Sequence, residues 1–393
     1  MSTHPLTTVF APAPPGLPAC AQVDLQAVSD NVRALKERAG AAEVMAVVKA
    51  DAYGHGLLPS ARAALRGGAT WLGVAQLAEA LQLRAAGVTA PVLSWLHVPG
   101  QDFTAAVEAD VDVGVSTLWS LAQVREAASA TGRTARVHLK VDTGLGRNGA
   151  WDPELDEILT ESARLQAEHA LEVVGIFSHF AYADAPGHPT VEAQQQRFEG
   201  VVAQARKAGL DPAVRHLANS AATLTNPSAH YDLVRPGVSV YGLSPVPDLG
   251  APEDFGLREA MRLVARLSSV KDCPAGQGVS YGHAYTTTAQ TRLGLVPMGY
   301  SDGVPRHASG VGPVQVAGRR YAVAGRVCMD QFVLDLGADS SATAGDEAVL
   351  FGVGAAGEPT AQDWAEAVGT INYEIVTRVG ARVPRQYLGE DLG

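Results

Sequence analysis

Short apolar runs alternate with amphipathic stretches from about residue 20 to residue 245. A first segment, AQVDL, is followed by a helical pattern and then by eight runs with the length and β-branched content of buried strands. These runs are VMAVVK (44–49), WLGVA (71–75), PVLSW (91–95), VDVGVS (111–116), RVHLKVD (136–142), VVGIFSH (173–179), VRHLAN (214–219) and VRPGVSVYG (234–242). The intervening stretches, such as LAEALQLRAAG, space apolar residues at i, i+3 and i+4 and end in glycine, as helices do.

Continuous apolar strands separated by helices indicate a parallel sheet that is covered on both faces. Eight such strand–helix units fit a (β/α)8 TIM-like barrel, and an open doubly wound sheet is the alternative. We therefore predict an α/β protein with an N-terminal barrel over residues 19–255. A flexible, proline-rich leader over residues 1–18 precedes it.

The pattern changes after about residue 255. Segments such as LVARLSSVKDC, TRLGLVPMG and DEAVLFG resemble strands joined by Gly and Pro turns, and TAQDWAEAVG is the one helical pattern. Residues 256–393 are therefore predicted to form a mostly β C-terminal domain.

Composition narrows the class of protein. A length of 393 residues allows about two domains, and a formal charge of −11 argues against binding to nucleic acid. The three widely spaced cysteines suggest a reducing compartment and form no CxxC metal site. The leader lacks a basic signal-peptide region, and no apolar run approaches the ~20 residues of a membrane span, so a cytoplasmic location is expected.

Polar groups stand at the ends of five of the eight predicted strands. The carboxyl ends of barrel strands meet at one rim, where catalytic groups gather, so we expect these side chains to converge there. They are Lys49, Lys140, Asp142, His179, Asn219, Ser220 and Arg235.

A lysine at the end of an apolar strand suggests amine chemistry. Burial lowers the pKa of an ammonium group, which makes the amine a nucleophile able to form a Schiff base with a carbonyl. Pyridoxal phosphate is the commonest carbonyl cofactor. Tyr53, Ser220 and the turn at Gly237 could hold its phosphate, and Arg235 could face its pyridine nitrogen.

Two short motifs point elsewhere but lack the required context. GLGRNG (144–149) matches the dinucleotide fingerprint, but the next strand ends in Ser178-His179 where a ribose-binding acid is expected. GVSYG (278–282) matches a hydrolase nucleophile elbow, but it lies in the β-rich region instead of a strand–turn–helix. Neither a nucleotide site nor a serine hydrolase is predicted.

Ten motifs in order carry a resemblance to a known family. They are AVVKADAYGHG, LKVDTGLGRNG, GIFSHF, HLANSAAT, LVRPGVSVYG, VSYGHAY, PMGYSDG, GRVCMDQ, INYEI and RVPR. Together they resemble the bacterial alanine racemases from about residue 20 to residue 387. Asp51, where asparagine is frequent, and Ala381, which replaces a common tyrosine, are departures from the family pattern.

The resemblance implies an isomerase that interconverts L-alanine and D-alanine through an aldimine of pyridoxal 5'-phosphate and supplies D-alanine for peptidoglycan in the cell wall. Lys49 corresponds to the lysine that holds the cofactor and acts as the base on the D-alanine face. Tyr281 corresponds to the base on the L-alanine face. It would come from the partner's β domain in a head-to-tail homodimer with shared sites.

The resemblance also assigns supporting residues, and no metal. The cofactor-binding set is Lys49, Tyr53, His179, Asn219, Ser220, Arg235, Gly237, Val238 and Tyr373, with His179 linking Arg235 to Tyr281. The substrate-binding set is Arg147, Met329 and Asp330, beside Lys140, which matches a position that is carbamylated in many members. The channel through which substrate enters is matched by Tyr300, Arg306, Asp330 and Arg385.

Other functions remain as alternatives. A related amino-acid decarboxylase is expected to place a carboxylate at the pyridine nitrogen, where this sequence has Arg235. A non-catalytic pyridoxal phosphate carrier resembles the barrel alone. An amino-acid racemase of broader specificity with the same fold is the nearest alternative.

Overall fold

A computed structural model describes residue 10 and residues 14–389. Most of the predicted leader, residues 1–9 and 11–13, lies outside the described residues. The chain divides into two compact units. One comprises Val28–Ala52 and Leu57–Leu257, and the other comprises the described residues up to Ala27, Tyr53–Gly56 and the described residues from Arg258 onward.

The strands in chain order are β1 Ala19–Asp24, β2 Glu43–Val47, β3 Trp71–Val74, β4 Val92–Ser94, β5 Asp112–Val115, β6 Ala135–Lys140, β7 Leu171–Phe177, β8 Val214–His216, β9 Leu233–Val234, β10 Met261–Arg266, β11 Ser269–Cys273, β12 Gly278–Val279, β13 Tyr285–Thr286, β14 Thr291–Val296, β15 Pro313–Val316, β16 Arg319–Ala324, β17 Phe332–Asp335, β18 Glu347–Phe351 and β19 Arg385–Leu388. The α-helices are α1 Leu25–Ala39, α2 Leu57–Arg66, α3 Leu77–Ala85, α4 Thr104–Glu108, α5 Leu118–Thr131, α6 Glu154–Ala167, α7 Pro189–Lys207, α8 Ser220–Thr225, α9 Ala361–Val368 and α10 Asn372–Thr377. None of the helices in the described part of the chain is long and apolar enough to cross a membrane.

The first unit is a parallel barrel built from β2 to β9. Its strands follow the order β8-β7-β6-β5-β4-β3-β2-β9, and every pair is parallel. Backbone hydrogen bonds between the β8 and β9 segments close the sheet, from Asp232 N to Arg215 O (3.1 Å) and from Arg235 N to Ala218 O (2.9 Å). This confirms the predicted (β/α)8 barrel over the open doubly wound sheet.

Large apolar side chains fill part of the barrel interior. Met45, Trp71, Leu93 and Phe177 form one buried cluster, contributed by four different strands. Gly73 makes room for this packing, because a Cβ there would lie 2.7 Å from the ring of Trp95. A filled interior of this kind places any chemistry at the strand ends.

The second unit is mostly strand, as predicted. Its main sheet has nine strands in the order β11-β14-β17-β16-β15-β18-β10-β1-β19, and β12 and β13 form a separate hairpin. The strand β1, placed by the sequence pattern at the start of the barrel range 19–255, pairs here with β10 and β19. A strand of six residues carries no information about its pairing partner, so the sequence could not assign this strand.

The last barrel strand is much shorter than predicted. The strand covers Leu233–Val234, so only Val234 of the expected 234–242 is strand, and Val238–Tyr241 forms a 3-10 helix. Pro236, which has no N–H for a sheet ladder, stands just after this strand. The other predicted strands are present, and none of their ends is shifted by more than three residues.

Candidate active site

The carboxyl ends of the barrel strands bring together several polar groups that are far apart in sequence. Lys49 follows β2, Lys140 ends β6, His179 follows β7 and Arg235 follows β9. Their charges act on one another, since the pKa of His179 is lowered by burial and then by Lys140, Arg235, Arg147 and Lys49. The predicted convergence of these side chains is therefore present in the structure.

Lys49 opens a segment with unusual backbone geometry. Ala50, Asp51 and Ala52 all have left-handed helical angles, with φ of 54°, 53° and 54°. Such angles cost free energy in residues other than glycine, so neighbouring contacts must hold them. The N–H of Ala50 donates to the carboxylate of Glu79 at 2.6 Å, and the N–H of Leu57 donates to Asp51 Oδ1 at 2.7 Å.

Arg235 is a buried guanidinium whose identified hydrogen-bond acceptors are neutral. It donates to the carbonyl oxygens of Ser178 (2.7 Å) and Leu217 (3.4 Å), and it contacts His216 Nδ1 (3.2 Å) and His179 Nδ1 (3.4 Å). Burial lowers the pKa of Arg235 to about 9. Its guanidinium is held in a fixed position, and it lacks a carboxylate partner within residues 14–389.

The two rim lysines are shifted toward the neutral amine. Burial lowers the pKa of Lys140 well below its usual range, and the charges of Arg235 and Arg147 add to this against the opposing Asp142. The pKa of Lys49 is also lowered, by burial and then by Arg147, although Glu79 acts in the opposite direction. Four basic side chains thus lie close enough at the rim for their charges to repel one another.

The loop after β6 carries Arg147. One carboxylate oxygen of Asp142 accepts hydrogen bonds from the N–H groups of Gly144 (2.8 Å), Leu145 (2.9 Å) and Gly146 (3.3 Å). The glycines of the GLGRNG motif therefore serve a tight turn around Asp142. This turn presents Arg147, which is exposed.

The loops after β8 and β9 are joined by one buried hydroxyl. Ser220 Oγ accepts from the N–H of Gly237 at 2.8 Å and from the N–H of Ser239 at 3.4 Å. Val238 is fully buried in the same segment, and Asn219 caps α8 by accepting from the N–H of Ala222. Ser220, Gly237 and Val238 are thus adjacent, as the predicted phosphate site requires.

In the second unit, Tyr281 stands on an exposed turn. It begins a 3-10 turn between β12 and β13, and 70% of its surface is accessible. Ser280, at φ 60°, holds this turn through hydrogen bonds of its hydroxyl to Arg326 O (2.7 Å) and with Cys328 Sγ (3.4 Å). The strand–turn–strand setting differs from that of a nucleophile elbow.

The same unit contains the two tyrosines predicted to contact phosphate. The rings of Tyr53 and Tyr373 lie 6.3 Å apart between centroids. Burial, and then Tyr373, raises the pKa of Tyr53, so its hydroxyl stays protonated. Arg385, predicted to line the substrate channel, donates to the carbonyl oxygens of Gly54, Val379, Gly380 and Val383.

The predicted substrate-binding and channel residues of this unit lie on neighbouring loops. Met329 is 54% exposed, and its carbonyl accepts from Ser301 N at 3.0 Å. Asp330 pairs with Arg382 at 2.8 Å, which lowers the pKa of Asp330. Tyr300 is partly exposed and Arg306 is exposed in the turn Arg306–Ala308.

Three groups at the barrel rim were not singled out from the sequence. Glu79 accepts from the backbone beside Lys49, and the Ser178 carbonyl and His216 both contact Arg235. His216 had no distinguishing signal, because its strand, Val214–His216, is itself mostly polar. Glu79 also had no distinguishing signal, because a glutamate in the first turn of a helix usually only caps the helix N-terminus.

Comparisons with known proteins agree with this architecture. Residues 23–245 match the family model "Alanine racemase, N-terminal domain" and residues 260–387 match "Alanine racemase, C-terminal domain". An alanine racemase of Frankia casuarinae is 61% identical over 96% of this chain and 98% of its own, and one of Streptomyces coelicolor is 56% identical over 98% and 99%.

Solved structures are similar as well. The alanine racemase of Streptomyces coelicolor A3(2) superposes with a TM-score of 0.94 at 56% identity, covering 95% of this chain and 99% of that one. The Bacillus anthracis enzyme with bound L-Ala-P has a TM-score of 0.87 at 36% identity, covering 96% of both chains. Because both family models and near full-length relatives match, this chain belongs to the alanine racemase family.

Proposed function

We propose that this protein is a pyridoxal phosphate-dependent racemase that interconverts L-alanine and D-alanine, in the cytoplasm, to supply D-alanine for peptidoglycan. The observation that carries the proposal is the cluster of four basic side chains, Lys49, Lys140, Arg147 and Arg235, at the rim of a barrel of this family. The substrate is the one named for the curated relatives.

The described residues fit the cofactor in charge and in chemistry. The rim gathers four basic side chains whose mutual repulsion contributes to the lowered pKa of both lysines, so an anionic phosphate would relieve this repulsion. Lys49 offers an amine whose pKa is lowered, as attachment to an aldehyde requires. Ser220, Gly237 and Val238 would hold the phosphate, with Asn219 and His179 beside the ring and with Tyr53 and Tyr373 as further candidates.

When bound, pyridoxal phosphate withdraws electrons and so acidifies the Cα proton of an amino acid. Arg235 would face the pyridine nitrogen. A guanidinium is a poor proton donor, so Arg235 would keep that nitrogen unprotonated and limit the electron withdrawal. Its acceptors at Ser178 O and His216 Nδ1 support a fixed orientation for this task.

Racemisation needs a proton to leave one face of Cα and return to the other, and hence two bases. Lys49 Nζ would hold and return the proton on the D-alanine face. Tyr281 Oη would do so on the L-alanine face, in a site of the partner subunit. The exposure of Tyr281 on a rigidly held turn supports a role toward a second copy of the chain.

The substrate carboxylate requires a cation. Arg147, on the turn organised by Asp142, would receive it, together with the backbone of Met329 and with Asp330. Burial lowers the pKa of Lys140 and so favours the neutral amine, the form that reacts with carbon dioxide, and a carbamate there would pair with Arg147. Tyr300, Arg306 and Arg385 would line the channel, although the four carbonyl contacts of Arg385 also fit a structural role.

The test is to purify the protein and record its absorbance near ~420 nm, where the lysine-bound cofactor absorbs. Borohydride reduction and peptide mass spectrometry should then place the reduced cofactor on Lys49. Lys36→Ala should keep the label, and Lys49→Ala should lose it. Assays across amino acids should give alanine the highest rate, and a label elsewhere or equal rates with large side chains would contradict the proposal.

A further inference from the structure

A chain of buried polar side chains runs from Arg235 into the barrel interior. Arg235 contacts His216 Nδ1 at 3.2 Å, and His216 Nε2 lies 2.8 Å from His138 Nδ1. His138 Nε2 lies 3.2 Å from Asp112 Oδ2. Both histidine rings are fully buried and Asp112 is 1% exposed, so bulk water does not offer alternative partners.

The direction of the hydrogen bonds in this chain follows from its two ends. A guanidinium can only donate, so His216 Nδ1 must accept and its proton must sit on Nε2. His216 then donates to His138 Nδ1, and His138 carries its proton on Nε2, which faces Asp112. A carboxylate at Asp112 accepts that bond, so all four ring nitrogens of the two histidines have a hydrogen-bond partner.

Asp112 is held as a carboxylate. Arg136 donates to it twice, from Nε to Oδ1 at 2.7 Å and from Nη2 to Oδ2 at 3.3 Å. Burial acts to raise the pKa of Asp112, but the bonds from His138 and Arg136 outweigh it and the pKa lies below its usual value. The anion therefore fixes the far end of the chain.

The surrounding residues are shaped for these two rings. The ring of Phe177 stacks on His216 with a centroid distance of 4.7 Å and an angle of 4°, and Trp71 meets His138 edge-on. A Cβ on Gly175 would lie 2.3 Å from His138 Nδ1, so only glycine leaves space for this ring. The rings have little freedom to turn and exchange partners.

We propose that Asp112 and His138 are remote positioning residues, which act through His216 to fix the tautomers of both histidines and so the orientation of Arg235. This inference rests on the proposed function only for its effect on activity. By analogy with the carboxylate of a catalytic triad, the anion sets which imidazole nitrogen accepts. Neither Asp112 nor His138 would touch cofactor or substrate.

Asp112→Asn tests this directly. Arg136 Nε, which makes the shorter of the two bonds, should donate to the amide oxygen of the new asparagine. The amide NH2 then faces His138 Nε2. His138 must then accept at Nε2 and donate from Nδ1, and His216 must carry its proton on Nδ1, where it opposes Arg235. Glu172→Gln is the matched control, because Glu172 is the exposed second carboxylate on Arg136, at 3.3 Å.

The measurement is long-range ¹H–¹⁵N NMR of the purified cofactor-loaded protein with ¹⁵N-labelled histidine, which distinguishes the two tautomers. In the wild type and in Glu172→Gln, His138 and His216 should both be protonated on Nε2. In Asp112→Asn both should move to Nδ1, and kcat/KM for racemisation should fall about tenfold or more. Circular dichroism should show that this variant is folded.

Wild-type protein with His216 protonated on Nδ1 would overturn the inference, even if Asp112→Asn did not fold. Unchanged tautomers in a folded Asp112→Asn protein would also overturn it. Neither result depends on the racemase assignment, which instead fails if Lys49 takes no label.

Discussion

Individual side chains at the rim owe their properties to burial. Lys49 and Arg235 both have a lowered pKa, and burial is the first cause in each case. Tyr281 differs, because it is exposed in the described chain and would meet its environment only at a partner's site. In its proposed role, Tyr281 would act through one group only, the hydroxyl Oη that serves as the base.

Tyr281→Phe should reduce racemisation by about 10²–10⁴-fold, the usual contribution of one acid–base group. Absorbance of the bound cofactor should be unchanged, because the substitution removes no proposed cofactor contact. Tyr321→Phe, a partly buried tyrosine of the same unit, is the control and should keep full activity. Unchanged turnover in Tyr281→Phe would exclude it as a base.

At this scale the sequence predicted which side chains meet at the rim but not their contacts. A lysine after an apolar strand was enough to select Lys49, since few structural roles fit that position. The acceptors of Arg235 could not be deduced, because they depend on where the β7 and β8 strand ends lie across the barrel. Nothing in the sequence separates His216 from any other strand histidine.

Lys49 is followed directly by the left-handed segment Ala50–Ala52, which fixes the backbone beside it. Ala50 is exposed, so a substitution there tests the backbone without disturbing a packed core. Its φ of 54° is disfavoured for alanine and acceptable for glycine. Local propensity and observed conformation thus disagree at the site of the proposed covalent bond, as they do at many functional sites.

Ala50→Gly should raise the free energy of unfolding by about 0.5–1 kcal/mol, since relief of a strained angle outweighs the added unfolded-state entropy. Ala78→Gly, at an exposed position inside α3, should lower it by about 1 kcal/mol. Urea titration measures both. A loss of stability in Ala50→Gly as large as that in Ala78→Gly would show that the segment is unstrained.

The sequence predicted the elements better than their ends. All eight barrel strands were expected, because buried parallel strands leave long apolar runs. The left-handed conformation of Ala50–Ala52 was not expected, since only Asp51 among these residues is of a type that visits a positive φ. The shortening of β9 could have been anticipated from Pro236, whose missing N–H limits pairing.

At the scale of the whole molecule, the proposal requires two copies of the chain. If each site combines Lys49 of one subunit with Tyr281 of the other, Lys49→Ala and Tyr281→Phe subunits should complement each other. A mixed dimer then contains one intact site and one doubly altered site. Reassociation of equal amounts should restore about a quarter of wild-type activity, since half of the dimers are mixed.

Each variant refolded alone is the control and should stay inactive. No recovery in a mixture shown by mass to contain mixed dimers would contradict shared sites. Recovery well above a quarter would point to preferential formation of mixed dimers.

The pH dependence of stability should report the buried histidines of the barrel. The pKa of His216 is well below its usual value because of burial, then Arg235 and His138. Below about pH 6.5 the unfolded chain binds a proton there that the folded chain does not, so stability falls from pH 7 to pH 5. In His216→Gln this fall should be smaller by up to about 2 kcal/mol.

Urea unfolding followed by tryptophan fluorescence at both pH values measures this difference. His307→Gln, at an exposed position of the other unit, should retain the full wild-type fall. An equal fall in His216→Gln and in wild type would mean that His216 is not the group responsible.

The most direct test of racemisation is to incubate the purified protein with L-alanine in D2O, and separately with D-alanine, and to follow both enantiomers by chiral chromatography and mass spectrometry. Both reactions should converge on equal amounts of L- and D-alanine, because enantiomers have equal free energy, and the product should carry deuterium at Cα. Lys49→Ala should form no product. Absence of D-alanine, or product that keeps its original Cα hydrogen, would contradict a two-base racemase.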